Sequence, residues 1–190
     1  MKRMDNIAAD MIPNRLLISI VIIAVITILV FFGYKNLSIT SSENNVEQEC
    51  REIESELYSM VSSGVARNLS DIGSDQGTIR SCCMNLPDNL VYLSFGVDPD
   101  PKNNGNYQSG LTLNGSCIFY KIDGGSKKVI WLDESFKFRE GKLFSDKWFL
   151  KGLGQGYIIR GGGKVNLVFE LVKKDEELLI LIHGNDNIFP

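Results

Sequence analysis

Histidine is almost absent from this chain of 190 residues, and cysteine is scarce. His183 is the only imidazole, and the four cysteines contain no Cys-x-x-Cys pair, which argues against a zinc site. His183 lies near the C-terminus, and no Gly-x-Ser-x-Gly elbow or Cys-His signature accompanies it. The sequence therefore predicts a protein that is not an enzyme, with His183 as an ordinary strand residue.

A basic excess is also missing, because the formal net charge of the chain is −3. Nucleic-acid-binding domains carry clustered lysine and arginine that neutralise phosphates, so we expect no nucleic-acid partner. The glycine run at 161–163 lacks the Gly-x-x-x-x-Gly-Lys spacing of a phosphate-binding loop. We expect this run to be a turn.

Charge is absent between Leu16 and Tyr34, where Ser19 and Thr27 are the polar side chains within the apolar run. A helix of this length covers about 28 Å, which matches the hydrocarbon thickness of a bilayer. The sequence therefore predicts a transmembrane helix over 16–34, with the lipid bilayer as its partner. An uncleaved anchor is favoured, because the run is longer than the core of a signal peptide. A cleaved secretory signal is the alternative.

Basic residues flank this run unequally. Lys2, Arg3 and Arg15 precede it, whereas Lys35 alone follows directly. The positive-inside rule then predicts a single-pass protein of the cell membrane, with a cytoplasmic tail at 1–15 and the remaining chain outside the cell.

The segment after the span is predicted to contain a polar stem and a helix. Residues 35–45 are short and mostly polar, which is typical of a stem leaving the membrane. From 46 to 72 we predict an amphipathic helix, because apolar side chains recur at alternating steps of four and three residues. This apolar seam consists of Val46, Cys50, Ile53, Leu57 and Met60.

Residues 73–190 are predicted to form a β-domain outside the membrane. Short β-branched and aromatic runs alternate there with Gly, Asp and Asn turns, which favours a mainly β fold built as an antiparallel sandwich or barrel. Asp123-Gly124-Gly125 and the glycine run at 161–163 are interpreted as hairpin connections. The predicted strands are Ile79–Met84, Leu90–Phe95, Ser116–Ile122, Lys128–Leu132, Ser135–Arg139, Trp148–Leu150, Tyr157–Arg160, Lys164–Val172 and Leu178–His183.

One loop of this domain has side chains that suit a metal ion. Asp98, Asp100 and Asn104 precede Gly105 and carry side-chain oxygens. Calcium loops have a similar pattern, in which oxygen ligands alternate along the chain before a glycine. Lys102 takes the fifth position, and Asp, Asn, Pro and Gly are also the usual residues of a plain turn. Calcium is the one cofactor that the sequence suggests, with an ordinary surface loop as the alternative.

Covalent modification is predicted at two kinds of residue. An oxidising compartment permits disulfides, and we expect at least one, with Cys50 joined to Cys82 or Cys83. Buried free thiols that act as small hydrophobic side chains are the alternative. The complete sets of candidates are Cys50, Cys82, Cys83 and Cys117 for disulfides, and Asn36, Asn68 and Asn114 of Asn-x-Ser sequons for glycosylation.

The order of elements resembles that of type IV pilin-like proteins and of small exported archaeal proteins. It consists of a basic head, one apolar helix, a polar helix and a C-terminal β-domain. The layout is also similar to that of archaellum stator proteins, which are single-span anchors with an outer β-sandwich. Arg15 is followed by Leu16, whereas prepilins carry Gly or Ala after the basic residue of the processing site. The resemblance is therefore one of layout, and no functional residue is carried over from it.

This layout implies a membrane-anchored structural or interaction protein outside the cytoplasm, as a component of a cell-surface appendage or envelope layer. Its expected partners are other envelope or appendage proteins. The alternative is a module that binds an envelope glycan or a small ligand, with or without calcium.

Overall fold

The computed structural model describes residues 5–71, 73–102, 107, 109–144, 147–151 and 156–184. The chain divides into two compact units, Met1–Thr40 and Ser41–Pro190. A long helix, α1, is followed by a mostly β domain that contains one short helix. The elements are α1 (Asp5–Ser63), β1 (Arg67–Asn68), β2 (Ile79–Leu86), β3 (Leu90–Phe95), α2 (Gly110–Asn114), β4 (Cys117–Ile122), β5 (Lys128–Trp131), β6 (Phe138–Phe144), β7 (Lys147–Leu150), β8 (Tyr157–Arg160), β9 (Gly163–Lys174) and β10 (Glu177–Gly184).

The first unit contains an apolar helical segment with an exposed surface. Every residue from Leu16 to Tyr34 is exposed. The two polar side chains in this run, Ser19 and Thr27, each donate a hydrogen bond to the backbone carbonyl four residues earlier. Their hydroxyl groups are thus satisfied within the helix. The segment is long and apolar enough to cross a membrane, a property that membrane anchors and signal sequences share.

The second unit begins with the C-terminal part of α1, whose buried face is the predicted seam. Val46, Cys50, Leu57 and Met60 are fully buried, and Ile53 is 3% exposed. The predicted helical periodicity is confirmed at all five positions. The seam is buried because a helix with apolar residues at these steps presents them all on one side.

The structure has one helix where the sequence predicted two helices and a stem. α1 continues through 35–45 and ends at Ser63, nine residues before the predicted end. No glycine or proline lies between Gly33 and Gly64, so no residue interrupts the backbone hydrogen bonds. The amide of Gly64 donates one further bond to the carbonyl of Met60 at 2.9 Å. The helix therefore ends just before Gly64, the first glycine after Gly33.

The strands form two sheets. One sheet has the order β1-β9-β10-β6-β7, with β2 also paired to β9, and the other has the order β5-β4-β3-β8. Phe95 of the second sheet makes edge-to-face contacts with Phe138 and Phe169 of the first, with ring centroids 5.4 and 6.0 Å apart. These rings place the main core between the inner faces of the two sheets. The predicted mainly β domain is confirmed.

Three features differ from the predicted antiparallel fold with a hairpin at 161–163. β1 pairs with β9 in parallel. β10 pairs with β6 in parallel, because the chain passes through β7, β8 and β9 before it returns beside β6. The glycine run at 161–163 is not a hairpin, since β8 pairs with β3 of one sheet and β9 belongs to the other. Gly162 passes so close to the backbone of Pro87 that a Cβ atom would collide with it. These glycines let the chain change sheets.

Candidate functional site

The acidic loop after β3 already holds a cation from the chain itself. Lys127 Nζ donates a hydrogen bond to Asp98 Oδ2 at 2.7 Å and another to the carbonyl oxygen of Asp100 at 2.8 Å. The other oxygen of Asp98 accepts from the amide of Asp100 at 3.0 Å. A calcium ion at Asp98 would have to displace the Lys127 ammonium group.

The surroundings of Lys127 are apolar and aromatic. Its side chain is 1% exposed, and Nζ lies 5.3 Å from the ring centroid of Tyr107 and 6.0 Å from that of Phe119. This arrangement is typical of a buried ion pair that fixes a loop. Asn104, the third predicted ligand, lies outside the described residues. No group of three or more metal-ligating side chains occurs within the described ranges, and the calcium site stays a prediction.

The four cysteines are free thiols, which differs from the predicted bridge between Cys50 and Cys82 or Cys83. Cys82 Sγ instead lies 3.0 Å from Glu56 Oε2 of α1 and donates a hydrogen bond to it. Burial raises the pKa of Cys82 and of Cys117 to about 12, and burial also raises the pKa of Cys50. Since the thiolate is the reactive form, these environments disfavour oxidation. Cys50 and Cys117 pack as small hydrophobic side chains.

The three sequons lie in different environments. Asn36 is exposed within α1, close to the end of the apolar run. Asn68 is exposed on β1, and its side-chain oxygen accepts a hydrogen bond from the amide of Ser70. Asn114 is half-buried at the end of α2, and its carbonyl accepts from Arg139. Glycosylation stays a prediction for all three.

Three buried polar side chains and one half-buried tryptophan lie together on the outer face of the larger sheet, and we call them the outer cluster. It consists of Arg67, Trp148, Glu170 and His183. Strand alternation explains the placement of Glu170, because its neighbours Phe169 and Leu171 face the main core.

His183 forms one half of the outer cluster together with Trp148. The two rings are stacked, with centroids 3.8 Å apart and an interplanar angle of 9°. His183 is 8% exposed, and its Nε2 atom has no hydrogen-bond partner among the described residues. Desolvation lowers the pKa of His183 to about 4, although the Glu170 carboxylate acts in the opposite direction. The imidazole is therefore neutral near pH 7.

Arg67 and Glu170 form the other half of the outer cluster. Arg67 Nε lies 2.6 Å from Glu170 Oε1, and its terminal nitrogen lies 2.8 Å from Oε2. The same guanidinium donates to the carbonyl oxygen of Trp148 at 2.5 Å. Both side chains are at most 5% exposed. This two-point ion pair joins β1, β9 and β7, and it supports the strand that carries Trp148.

Two cavities lie beside Trp148. The smaller, of about 180 Å³, borders the Arg67–Glu170 ion pair. The larger, of about 460 Å³, borders His183, and we call it the His183 cavity. Its lining includes Glu140, Lys142, Trp148, Lys151, Tyr157 and His183.

The polar groups of the His183 cavity suit binding better than catalysis. Lys151 Nζ is paired with Glu140 at 2.6 Å, whereas Lys142 is exposed and makes no ion pair or hydrogen bond with the described residues. Among the described lining residues, none is a serine, cysteine or threonine that could act as a nucleophile beside His183. Cations, a carboxylate and two aromatic rings are groups that hold and orient a polar ligand.

Comparison with protein-family models, with curated proteins and with solved structures finds no match to this chain.

Sequence reasoning missed the outer cluster as a site. Arg67 and Glu170 are 103 residues apart, and they meet because β1 lies beside the C-terminal end of β9. One signal was present, since Glu170 is the one charged residue in the otherwise apolar stretch 167–172 of β9. The sequence predicts His183 as an ordinary strand residue. Its contact with Trp148 could not be predicted, because the sequence does not show which strands pair.

Proposed function

We propose that this protein is a membrane-anchored structural or interaction protein, whose β-domain serves a cell-surface appendage or an envelope layer outside the cytoplasm. The observation that carries the proposal is the exposure of every residue from Leu16 to Tyr34. An apolar surface of this length, which the chain itself leaves uncovered, is stabilised by lipid or by other apolar helices.

The orientation is part of the same proposal. Lys2, Arg3 and Arg15 favour a cytoplasmic N-terminus, and Tyr34 suits the outer headgroup level. The β-domain supports a structural role, because it has an inner core between two sheets and a buried ion pair at Asp98 that fixes its long loop.

Protease treatment of intact cells tests anchor and orientation together. We expect the β-domain to be degraded and a small fragment that contains residues 16–34 to stay with the membrane. Detergent-solubilised protein is the control, in which the fragment should lose its protection. If protease added to intact cells leaves the β-domain uncut, and the domain is cut after lysis, the proposed orientation is contradicted. A mature protein without residues 16–34 would show that the run is a cleaved signal.

Ligand binding is a second candidate function, and the His183 cavity favours it. The volume of about 460 Å³ lies in the range of small-molecule sites, and charged and aromatic side chains share its lining. A module that binds an envelope glycan or a small ligand would use this cavity instead of the loop at Asp98. The sequence had pointed to that loop for ligand capture.

A further inference from the structure

We propose that the His183 cavity binds a sugar that carries a carboxylate group, of the hexuronate class. This inference rests on ligand binding as the second candidate function, and it names the class of ligand for that site. It is independent of the membrane anchor, which is tested by protease protection.

The first step concerns the charge of the ligand. Lys142 is exposed beside the cavity and makes no ion pair or hydrogen bond with the described residues, whereas Lys151 is already paired with Glu140. The described lining thus carries an excess of positive charge, although the whole chain has a net charge of −3. An unpaired ammonium group at the edge of a cavity favours an anionic group of the ligand.

The second step concerns the hydroxyl groups. Nε2 of His183 is buried without a partner among the described residues, which costs free energy unless another molecule supplies the missing hydrogen bond. Glu140 adds carboxylate oxygens, which accept hydrogen bonds from hydroxyl groups. A polyhydroxylated ligand supplies hydroxyl groups for both, whereas acetate has no hydroxyl group to donate to the Glu140 carboxylate.

The third step concerns the shape of the cavity. Trp148 and Tyr157 line it with aromatic rings, which suit the apolar C–H face of a sugar ring. Two glycines keep these rings in place. A Cβ atom on Gly184 would collide with the Tyr157 hydroxyl, and a Cβ atom on Gly141 would lie 3.3 Å from Trp148 Cε3.

The experiment uses the full chain in detergent micelles with Trp131 replaced by phenylalanine. Since the chain has 2 tryptophans, Trp148 is then the single tryptophan reporter. Glucuronate is titrated at millimolar concentration, with glucose and acetate as matched controls. We expect a saturable change of Trp148 fluorescence with glucuronate, and none with glucose or acetate. No response to glucuronate overturns the proposal. An equal response to glucose or to acetate overturns the assigned class and leaves ligand binding in place.

Two variants test the named residues. Lys142→Gln should weaken glucuronate binding about tenfold, because it removes one charge-assisted hydrogen bond. Lys164→Gln, the same change at an exposed strand position outside the cavity lining, should leave binding unchanged. Equal effects of both changes would indicate a general charge effect and would contradict the proposal.

His183→Phe keeps a ring against Trp148 and removes both nitrogen atoms. We expect weaker glucuronate binding together with an unchanged or higher melting temperature, since a buried unpartnered nitrogen is lost. A lower melting temperature with unchanged affinity would assign His183 a purely structural role and would overturn its part in the site.

Discussion

At the scale of single residues, His183 is a buried polar side chain. Its burial costs free energy that its contacts offset only in part. Its Nε2 atom lacks a partner among the described residues, which costs about 1–3 kcal/mol for a group of this kind. The stacking of His183 on Trp148 contributes about 0.5–1.5 kcal/mol to stability, a value typical of aromatic pairs. A hydrophobic residue would be the more stable choice here, which supports the ligand-binding role proposed for His183.

The low pKa of His183 makes stability depend on pH in a defined window. The folded protein holds the neutral imidazole down to about pH 4, whereas the unfolded chain takes up the proton near pH 6.5. The unfolded state therefore binds more protons between these values, and stability falls as the pH falls from about 6.5 to about 4. We expect a loss of about 3 kcal/mol from this residue, which is complete near pH 4.

Thermal unfolding of the full chain in detergent at pH 7, 5.5 and 4 measures this effect. His183→Phe is the comparison, because both proteins share every carboxylate and differ in the imidazole alone. The wild type should lose more stability than the variant over this range. Parallel curves would show that His183 titrates normally in the folded protein.

The same scale explains why the sequence located few of the polar contacts. The Asp98 loop was recognised by its composition, but its partner Lys127 lies 29 residues further along the chain. Spacing rules describe ligands that come from one short segment. They carry no information on Lys127, which lies directly before β5 and reaches the loop from elsewhere in the fold. The Arg67–Glu170 ion pair was missed for the same physical reason.

At the scale of elements, local periodicity predicted much more. The seam of α1 agrees with the sequence pattern, because burial on one face of a helix imposes a period of 3.6 residues. The bounds of β3 and β8 agree as well, because turn residues flank these apolar and aromatic runs. Pairing between strands was not predictable in this way. The parallel pairing of β6 with β10 depends on the path of the chain through the other sheet. That path produces no periodic pattern of side chains in the sequence.

The turn between β9 and β10 contains stored backbone strain. Asp175 and Glu176 both have positive φ, at 50° and 67°, a region that costs an ordinary residue about 1–2 kcal/mol. Glu176→Gly should therefore raise the free energy of unfolding by about 0.5–1 kcal/mol after the greater freedom of glycine in the unfolded chain is included. The ion pair of Glu176 with Lys173 is surface-exposed and adds little.

Thermal unfolding of Glu176→Gly and of Glu177→Gly checks this prediction. Glu177 is the first residue of β10 and pairs with Lys137, so glycine there should lower the melting temperature. A lower melting temperature for Glu176→Gly as well would contradict the strain argument.

At the scale of the whole molecule, the two units are stabilised by different physical effects. The exposed apolar segment of α1 from Leu16 to Tyr34, within the unit Met1–Thr40, is stable where lipid or another helix covers it. The unit Ser41–Pro190 has its own buried core, which includes the aromatic contacts of Phe95 with Phe138 and Phe169. From composition, the sequence predicted a span over 16–34 and a β-domain over 73–190, because a charge-free run and a domain of alternating strands are distinct patterns.

A fragment of residues 41–190 distinguishes two hypotheses. In one, the β-domain contacts envelope partners and the apolar helix is only an anchor; in the other, which is pilin-like, assembly depends on the apolar helix. We expect it to be soluble without detergent, rich in β-structure and cooperative in thermal unfolding, because the seam from Val46 to Met60 stays with the sheets. If the β-domain makes the contacts with envelope partners, immobilised fragment should retain the same cross-linked neighbours as the full chain. If assembly depends on the apolar helix, the fragment should be monomeric and should retain none of them.

Leu57→Ala in the fragment is the control for folding, since loss of a fully buried leucine should cost about 2–5 kcal/mol. A fragment that aggregates and lacks a cooperative transition would contradict the independence of the two units.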